Sequence, residues 1–470
     1  MNNSYVCEID QRMHVDRNFD TVRKELRYGS RLSALVYYYA GLTNGELLSK
    51  LMRYMICDAH GADLLAAGDV KGFLEGIPLA ECTLETCVND ALVSVCSGCA
   101  LFLIDGVDGC LLLDVKKYPA RSIEEPQKDK VLRGSRDGFA ETLMPNGALI
   151  RRRIRDPRLV FQRMKVGSST STDLLVCYME GIADRQYVGK ITAEIGKIKT
   201  MGLNLGLETL TELMIGRTVY NPFPKVRYTE RPDAAAAMLL EGKIIVICDN
   251  YPAAMILPTS LFDFLQDTDD FYFSPVIGGY MKFVRNAVYM ASLLLTPLWY
   301  TLQQIPWVLP ESLDFLIYKG GDSFLPLILQ LLLVEISIDG LKLASLNTPD
   351  TLSNSLSVIS GLILGDLAVS VGWLSEQVIL YMAFVAIANF TQPSFELGYA
   401  FKFMRIITIS LIAVLSFYGL AVGFFVVLLF ILSNRTLFSG KGYLYPLIPF
   451  DRRALRKLFF RSKASGEPIS

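Results

Sequence analysis

The segment LSNSLSVISGLILGDLAVSVGW, residues 352–373, decides how the C-terminal part of this chain is read. It is long enough and apolar enough for a transmembrane helix, since about 18 or more such residues suffice to span a bilayer. Gly361 and Gly365 form a G-x-x-x-G pair that lets another backbone approach closely. Ser353, Ser357 and Ser360 fall near the same helical face, upstream of that pair. Asp366 is the one ionisable side chain, and a carboxylate within a span is costly unless it faces a bundle interior or a water-filled path. Two readings stand. In one, the helix lines a cation pathway and Asp366 sets its field; in the other, it is a tightly packed helix whose Asp366 bonds a neighbour.

Four further apolar segments flank this one, at 286–305, 324–338, 378–390 and 406–432. The first and last are long enough to cross. The middle two are short, as re-entrant or interfacial segments are. Glu335 and Asp339, at the end of 324–338, are candidates for an ion path or for a membrane interface. After 433 the tail carries Arg435, Lys441, Arg452, Arg453, Arg456, Lys457, Arg461 and Lys463 against Asp451 and Glu467. Such a basic excess marks the cytoplasmic side, and Lys282 and Arg285 before the first span say the same of the N-terminal region. Both ends are therefore expected in the cytoplasm, which requires an even number of crossings, and four is the expectation. That count leaves Lys402 and Arg405 on the outer side, against the charge rule.

Residues ahead of this region mix charge and apolar patches as an ordinary globular domain does, so the overall mean hydropathy of +0.34 averages two regimes. Residues 1–17 have no apolar core of the kind a cleavable signal needs. The expected organisation is a soluble α/β subdomain at 1–117, an Arg-rich connector at 118–165, a second α/β subdomain at 166–282, a membrane domain at 283–432 and a basic cytoplasmic tail at 433–470. The fold class expected is thus an α/β N-terminal cytoplasmic region of two small subdomains, followed by an α-helical polytopic membrane bundle. Runs at 100–104 and 110–115 flank Asp105-Gly106-Val107-Asp108-Gly109 as a hairpin. A like pair at 243–248 and 253–257 flanks Asp249-Asn250-Tyr251-Pro252, which suggests a duplication. Helices are expected at 46–57, within 137–155, and at 185–198.

A net charge of −1 lacks the basic footprint of a nucleic-acid binder. The nine cysteines are odd in number and lie mostly in apolar runs, which fits reduced, buried thiols. Cys96-Ser97-Gly98-Cys99 has redox or zinc spacing, without a second pair to complete four ligands. His14 and His60 are the only histidines, too few for a multi-histidine centre. Arg133-Gly134-Ser135-Arg136-Asp137-Gly138 lacks the P-loop pattern and reads as a turn pairing local charges. Arg151-Arg152-Arg153 is either a lipid-headgroup contact or a solvated helix face. No catalytic residue, metal or cofactor is expected.

Several stretches together resemble the A subunits of spore-germination receptors, the GerA family. They are Arg121-Ser122-Ile123-Glu124-Glu125-Pro126, the Arg133–Phe139 run, Arg151-Arg152-Arg153-Ile154-Arg155-Asp156-Pro157, Gly181-Ile182-Ala183-Asp184, Tyr228-Thr229-Glu230-Arg231-Pro232-Asp233 and Leu240-Glu241-Gly242-Lys243. Pro393-Ser394-Phe395-Glu396-Leu397-Gly398 and Tyr445-Pro446-Leu447-Ile448-Pro449-Phe450 continue the series in family order. Gly365-Asp366-Leu367-Ala368-Val369, Val378-Ile379-Leu380-Tyr381-Met382-Ala383 and Asp269-Asp270-Phe271-Tyr272 point to a branch apart from the nutrient receptors. The resemblance implies the spore inner membrane, multi-pass, with both termini on the core side, in contact with membrane lipid. It implies a homo-oligomeric channel that releases monovalent cations and, in this branch, a partner membrane protein with which it amplifies the germination signal. Under it the 352–373 helix becomes the pore helix, with Ser357, Ile359, Gly361, Leu362, Gly365, Asp366 and Ser370 as lining candidates. The competing expectation is a non-conducting receptor or scaffold that relays ligand or partner binding.

Overall fold

A computed structural model describes residues 3–28, 31–57, 82–105, 107–118, 134–215, 220–267, 272–305, 310, 312, 316–318, 324–347, 361, 367–434, 436–437 and 442–452. Two five-stranded antiparallel sheets make up the N-terminal region, and their strands follow the same order. In the first, β1 (Thr21–Tyr28), β2 (Arg31–Tyr39), β3 (Cys82–Glu85), β4 (Ala100–Ile104) and β5 (Cys110–Leu113) lie as β1-β2-β4-β5-β3. In the second, β6 (Leu159–Val166), β7 (Thr172–Met179), β8 (Arg227–Thr229), β9 (Ile244–Cys248) and β10 (Ala254–Leu257) lie as β6-β7-β9-β10-β8.

The helices repeat too. α1 (Asn3–Arg12) precedes the first sheet, α2 (Gly45–Cys57) follows β2, and α3 (Val88–Cys96) leads into β4. Their counterparts are α4 (Leu143–Arg153) before the second sheet, α5 (Arg185–Lys197) after β7, followed by α6 (Leu207–Ile215), and α7 (Pro232–Leu240) leading into β9. Ile9 of α1 and Leu92 of α3 pack on one face of the first sheet, Leu48 and Leu51 of α2 on the other. Ile150 of α4 and Leu239 of α7 cover one face of the second sheet, Ile191 of α5 and Leu210 of α6 the other. Covered on both sides, the inner strands read as continuous apolar runs: ALFLI in β4 and IIVIC in β9 are buried at every position. At the β9–β10 turn Asn250 takes φ +62°, a left-handed conformation that Asn tolerates well. The two hairpins read from sequence are thus equivalent parts of one repeated αββα…αββ unit.

The repeat corrects one boundary. Residues 143–166 are not connector but the first helix and first strand of the second unit, with β6 paired to β7 along its whole length. The two units are joined tightly. Phe19 N–H donates to the Phe161 carbonyl at 2.9 Å, and Phe161 N–H to Asn18 Oδ1 at 2.7 Å. Arg151 of α4, fully buried, donates to both carboxylate oxygens of Asp20, at 2.6 and 3.0 Å. Its guanidinium also lies 4.0 Å from the Tyr39 ring centroid and 4.5 Å from that of Phe161. Arg152 lies over Tyr118, and Arg153 bonds Asp137 and Ser135. Neither expectation for this run describes Arg151, which joins the two units from the inside.

The C-terminal region is helical: α8 (Pro275–Gln304), α9 (Leu327–Asn347), α10 (Glu376–Phe390), α11 (Phe395–Leu415) and α12 (Phe417–Ser433). The run 406–432, expected as one span, is two antiparallel helices. They part at Ser416, whose φ of +52° and ψ of −137° leave the helical region. Gly419 of α12 lies on the backbone of Leu411 and Ile412, and Gly423 lies on Thr408, so the hairpin closes at glycine-wide separation. Among the described residues, the run expected as one apolar span is therefore two. Among the described residues one helix, Phe395–Leu415, is long and apolar enough by itself to cross a membrane.

The second α/β unit meets α12 and the segment that follows it directly. Tyr187 donates to the Leu437 carbonyl at 2.7 Å, Asn221 to that of Phe430 at 2.8 Å, and Tyr443 to that of Pro224 at 2.8 Å. Phe223 packs edge-on against Phe401 and Tyr443 in one cluster with Tyr289 and Met404.

Candidate functional site

On α9, Glu335 and Asp339 are four residues apart; on α11, Lys402 and Arg405 are three apart. Both spacings put a pair on one helical face. The two faces meet. Arg405 Nη2 pairs with Glu335 Oε1, and Lys402 Nζ pairs with Asp339 Oδ2. Lys402 also donates to the Glu335 carbonyl at 3.0 Å and lies 3.8 Å from its Oε1. Arg405 reaches a third helix, donating from Nη1 to the Ser292 carbonyl of α8 at 2.6 Å. Glu335, Lys402 and Arg405 are all buried, while the Asp339 side chain keeps 29% of its exposure.

Four charges in an apolar bundle cost several kcal/mol each in lost hydration, and only close pairing with further hydrogen bonds offsets this. The ladder meets that condition and fixes the register of α9 against α11 and α8. It also bears on the charge rule. The sequence expectation sets Lys402 and Arg405 outside, ahead of a helix starting at 406. In the structure α11 begins at Phe395, so both lie inside the helix and are paired, not loop charges. A further tie between helices is Gln330 of α9, whose Oε1 accepts from the Ser375 N–H at the start of α10, at 2.9 Å.

Of the pore candidates, Ser357, Ile359, Leu362, Gly365 and Asp366 lie outside the described residues. Gly361 is exposed, with open space where a Cβ would stand. Ser370 is exposed and donates to the Leu367 carbonyl at 2.9 Å. Glu335 and Asp339 are brought together, and their partners Lys402, Arg405 and Ser292 are the residues sequence reasoning left unassigned. The signal was present: opposite charges at helical spacing on two apolar segments.

Around β8 a second polar cluster joins the α/β region to α8. Arg231, buried, bonds both oxygens of Asp233, and Tyr272 donates to the same carboxylate. Burial works to raise the Asp233 pKa, but the Arg231 and Tyr272 hydrogen bonds outweigh it and hold the carboxyl below its usual value. Tyr272 stacks over Gly134, where a Cβ would collide with its ring, so the glycine read as a turn residue is a platform for this tyrosine. Cys96 and Cys99 are buried thiols outside any disulfide, and burial pushes Cys96 up to about 11, away from thiolate chemistry. Among the described residues no group of three His, Cys, Asp or Glu side chains could hold a metal ion.

Comparison with known proteins follows the same outline. The family model described as Bacillus/Clostridium GerA spore germination protein matches residues 8–467. Stage V sporulation protein AF of Bacillus subtilis is 36% identical over 435 residues, covering 92% of this chain and 87% of that protein. An uncharacterized membrane protein of the same organism, YfkQ, is 28% identical over 451 residues, covering 94% of this chain and 86% of that one. Among solved structures, the N-terminal domain of the A subunit of the Bacillus megaterium spore germinant receptor GerK3 matches with 24% identity and a TM-score of 0.40, covering 55% of this chain and 94% of that domain.

Proposed function

This chain belongs to the GerA spore germination family, and from that premise we propose that it is an oligomeric cation-channel subunit of the spore inner membrane. It releases monovalent cations and amplifies the germination signal. The observation that carries the membrane part is an inverted distribution of charge. In the helical region Glu335, Lys402 and Arg405 are buried, while Leu380, Phe384, Ile387, Phe425, Leu428 and Leu432 are exposed. That is the arrangement a bilayer selects. The pore is read onto the 352–373 segment, where Gly361 and Gly365 would allow close packing of several copies. Asp366 gives the path its preference for cations.

Potassium flux from vesicles holding the reconstituted chain, with and without a partner membrane protein of the germination system, tests this. Flux that falls in Asp366→Asn at equal incorporation supports the pore. Absence of flux from the unaltered chain in both conditions removes it in favour of a non-conducting receptor or scaffold. One observation favours that second reading: the second α/β unit is hydrogen-bonded to α12 through Asn221 and to the segment after α12 through Tyr187–Leu437 and Tyr443–Pro224, as a relay of ligand or partner binding requires.

A further inference from the structure

Beside the ladder, side chains of α9, α10, α11 and the α10–α11 turn line a partly open cavity of about 10 Å³, room for one water-sized particle. Lys342, Asn389, Gln392, Tyr399 and Lys402 line it. Gln392 is 8% exposed, and neither its Oε1 nor its Nε2 has a hydrogen-bond partner. The Asn389 Oδ1 is likewise buried and unpartnered. A buried carboxamide without partners is costly, so these groups are arranged for an occupant. Gly398 belongs to the same construction, because a Cβ there would collide with Gln392 Oε1. The glycine of the Pro393–Gly398 run is what admits the Gln392 side chain.

Charge narrows the occupant. Around the cavity and its adjoining ladder stand Lys342, Lys402 and Arg405 against Glu335 and Asp339, one positive charge in excess. Lys342 contributes its ammonium from 5.5 Å above the Tyr399 ring. Carboxamide O and N positions are interchangeable by a flip, so Gln392 and Asn389 can both turn N–H donors inward. Lysine ammoniums plus amide donors, with net positive charge, suit an anion; a cation would face two ammoniums. We propose that this cavity binds one small monovalent anion of the size of chloride, held by Lys342, Lys402, Gln392 and Asn389. The site is distinct from the pore helix, and binding at it is an equilibrium property that does not depend on whether ions cross the bundle.

The test is thermal unfolding of the full-length chain in phosphatidylethanolamine–phosphatidylglycerol nanodiscs, in sodium chloride against sodium gluconate at equal ionic strength. Chloride at a few times its Kd should raise Tm saturably, by about 2–4 °C, with bromide able to replace it. Gln392→Leu and Lys342→Met should each lose that rise; if Gln392→Leu does not fold, the rim variant Lys342→Met decides. Equal Tm in the two salts would mean that the occupant is water and would overturn the proposal. So would a full chloride response retained in Lys342→Met, which would put the anion elsewhere.

Discussion

Arg151 and Asp20, 131 residues apart in the chain, form a two-pronged ion pair in the seam between the two α/β units, with the guanidinium wholly buried. Desolvation makes such a pair weak evidence for net stability, yet removing one member strands the other charge without solvent. Arg151→Leu is therefore expected to destabilise the protein by about 3–5 kcal/mol. Chemical unfolding of the intact chain in detergent measures it. The double variant Asp20→Leu/Arg151→Leu should recover part of that loss, and additive losses would contradict the pairing.

The ladder predicts the same non-additivity inside the helical region. Glu335→Gln or Arg405→Gln alone leaves a buried charge and should lower membrane protein level sharply, whereas Glu335→Met with Arg405→Met should restore it. Under the channel function proposed above, a restored double variant that conducts like the unaltered chain makes the ladder a scaffold for the bundle. One that accumulates normally without conducting gives the ladder a part in gating.

The α11–α12 hairpin makes a prediction about topology. Single cysteines at Ser394 and Ser433 should react with an impermeant thiol reagent from the same side, and one at Ser416 from the opposite side. Reaction of 394 and 433 from opposite sides would restore a single span. Gly419→Leu should disrupt the hairpin, because the Leu411 and Ile412 backbone against it cannot yield.

Acid sensitivity of the α/β region follows from Asp233 and Asp263. Burial alone would raise Asp263, but Lys243 at 2.6 Å and the Ser260 N–H at 2.7 Å prevail, and its pKa is lowered from 3.8. Depressed carboxylates contribute stability in full above their unfolded-state value and lose it as pH falls through the folded one. Unfolding should therefore ease below about pH 4 and not between pH 5 and 8. Lys243→Met should cost about 1.5–3 kcal/mol at pH 7 and flatten the acid limb. An unchanged acid limb would show that Asp263 is not its source.

What was legible in the sequence divides along the edges of the sheets. β4, β5, β9 and β10 are inner or paired strands buried throughout, and their unbroken apolar runs announced them. The edge strands β1 and β6 did not. Arg23, Lys24, Glu25 and Arg27 in β1, and Arg163 and Lys165 in β6, are charges typical of edge strands; those of β6 read as connector, and those of β1 gave no strand signal within the first subdomain. Arg163 in fact bonds Asp173 across to β7 at 2.6 Å. Helices with clear periodicity were found nearly to the residue, as α5 shows: its N-cap Asp184 accepts from the Gln186 and Tyr187 N–H groups. The break at Ser416 carried no signal, because a serine in an apolar run neither stops a helix nor marks a turn. The ladder was missed for a different reason: each of its charges was weighed on its own segment, while the constraint that buries them acts between segments.

The repeated unit carries one more consequence. The hydrogen bonds named here between the α/β region and the C-terminal region all involve the second copy, and the first is joined to it at the α4 seam. Such a chain is built like a detachable head on a fixed collar. The first copy is free to exchange one surface for another over evolutionary time without rebuilding the helical region, provided that the aspartate at the seam is kept. Under the channel function proposed above, a chimera spliced within residues 134–142 should thus inherit whatever its new head binds while keeping the ion flux of its old base.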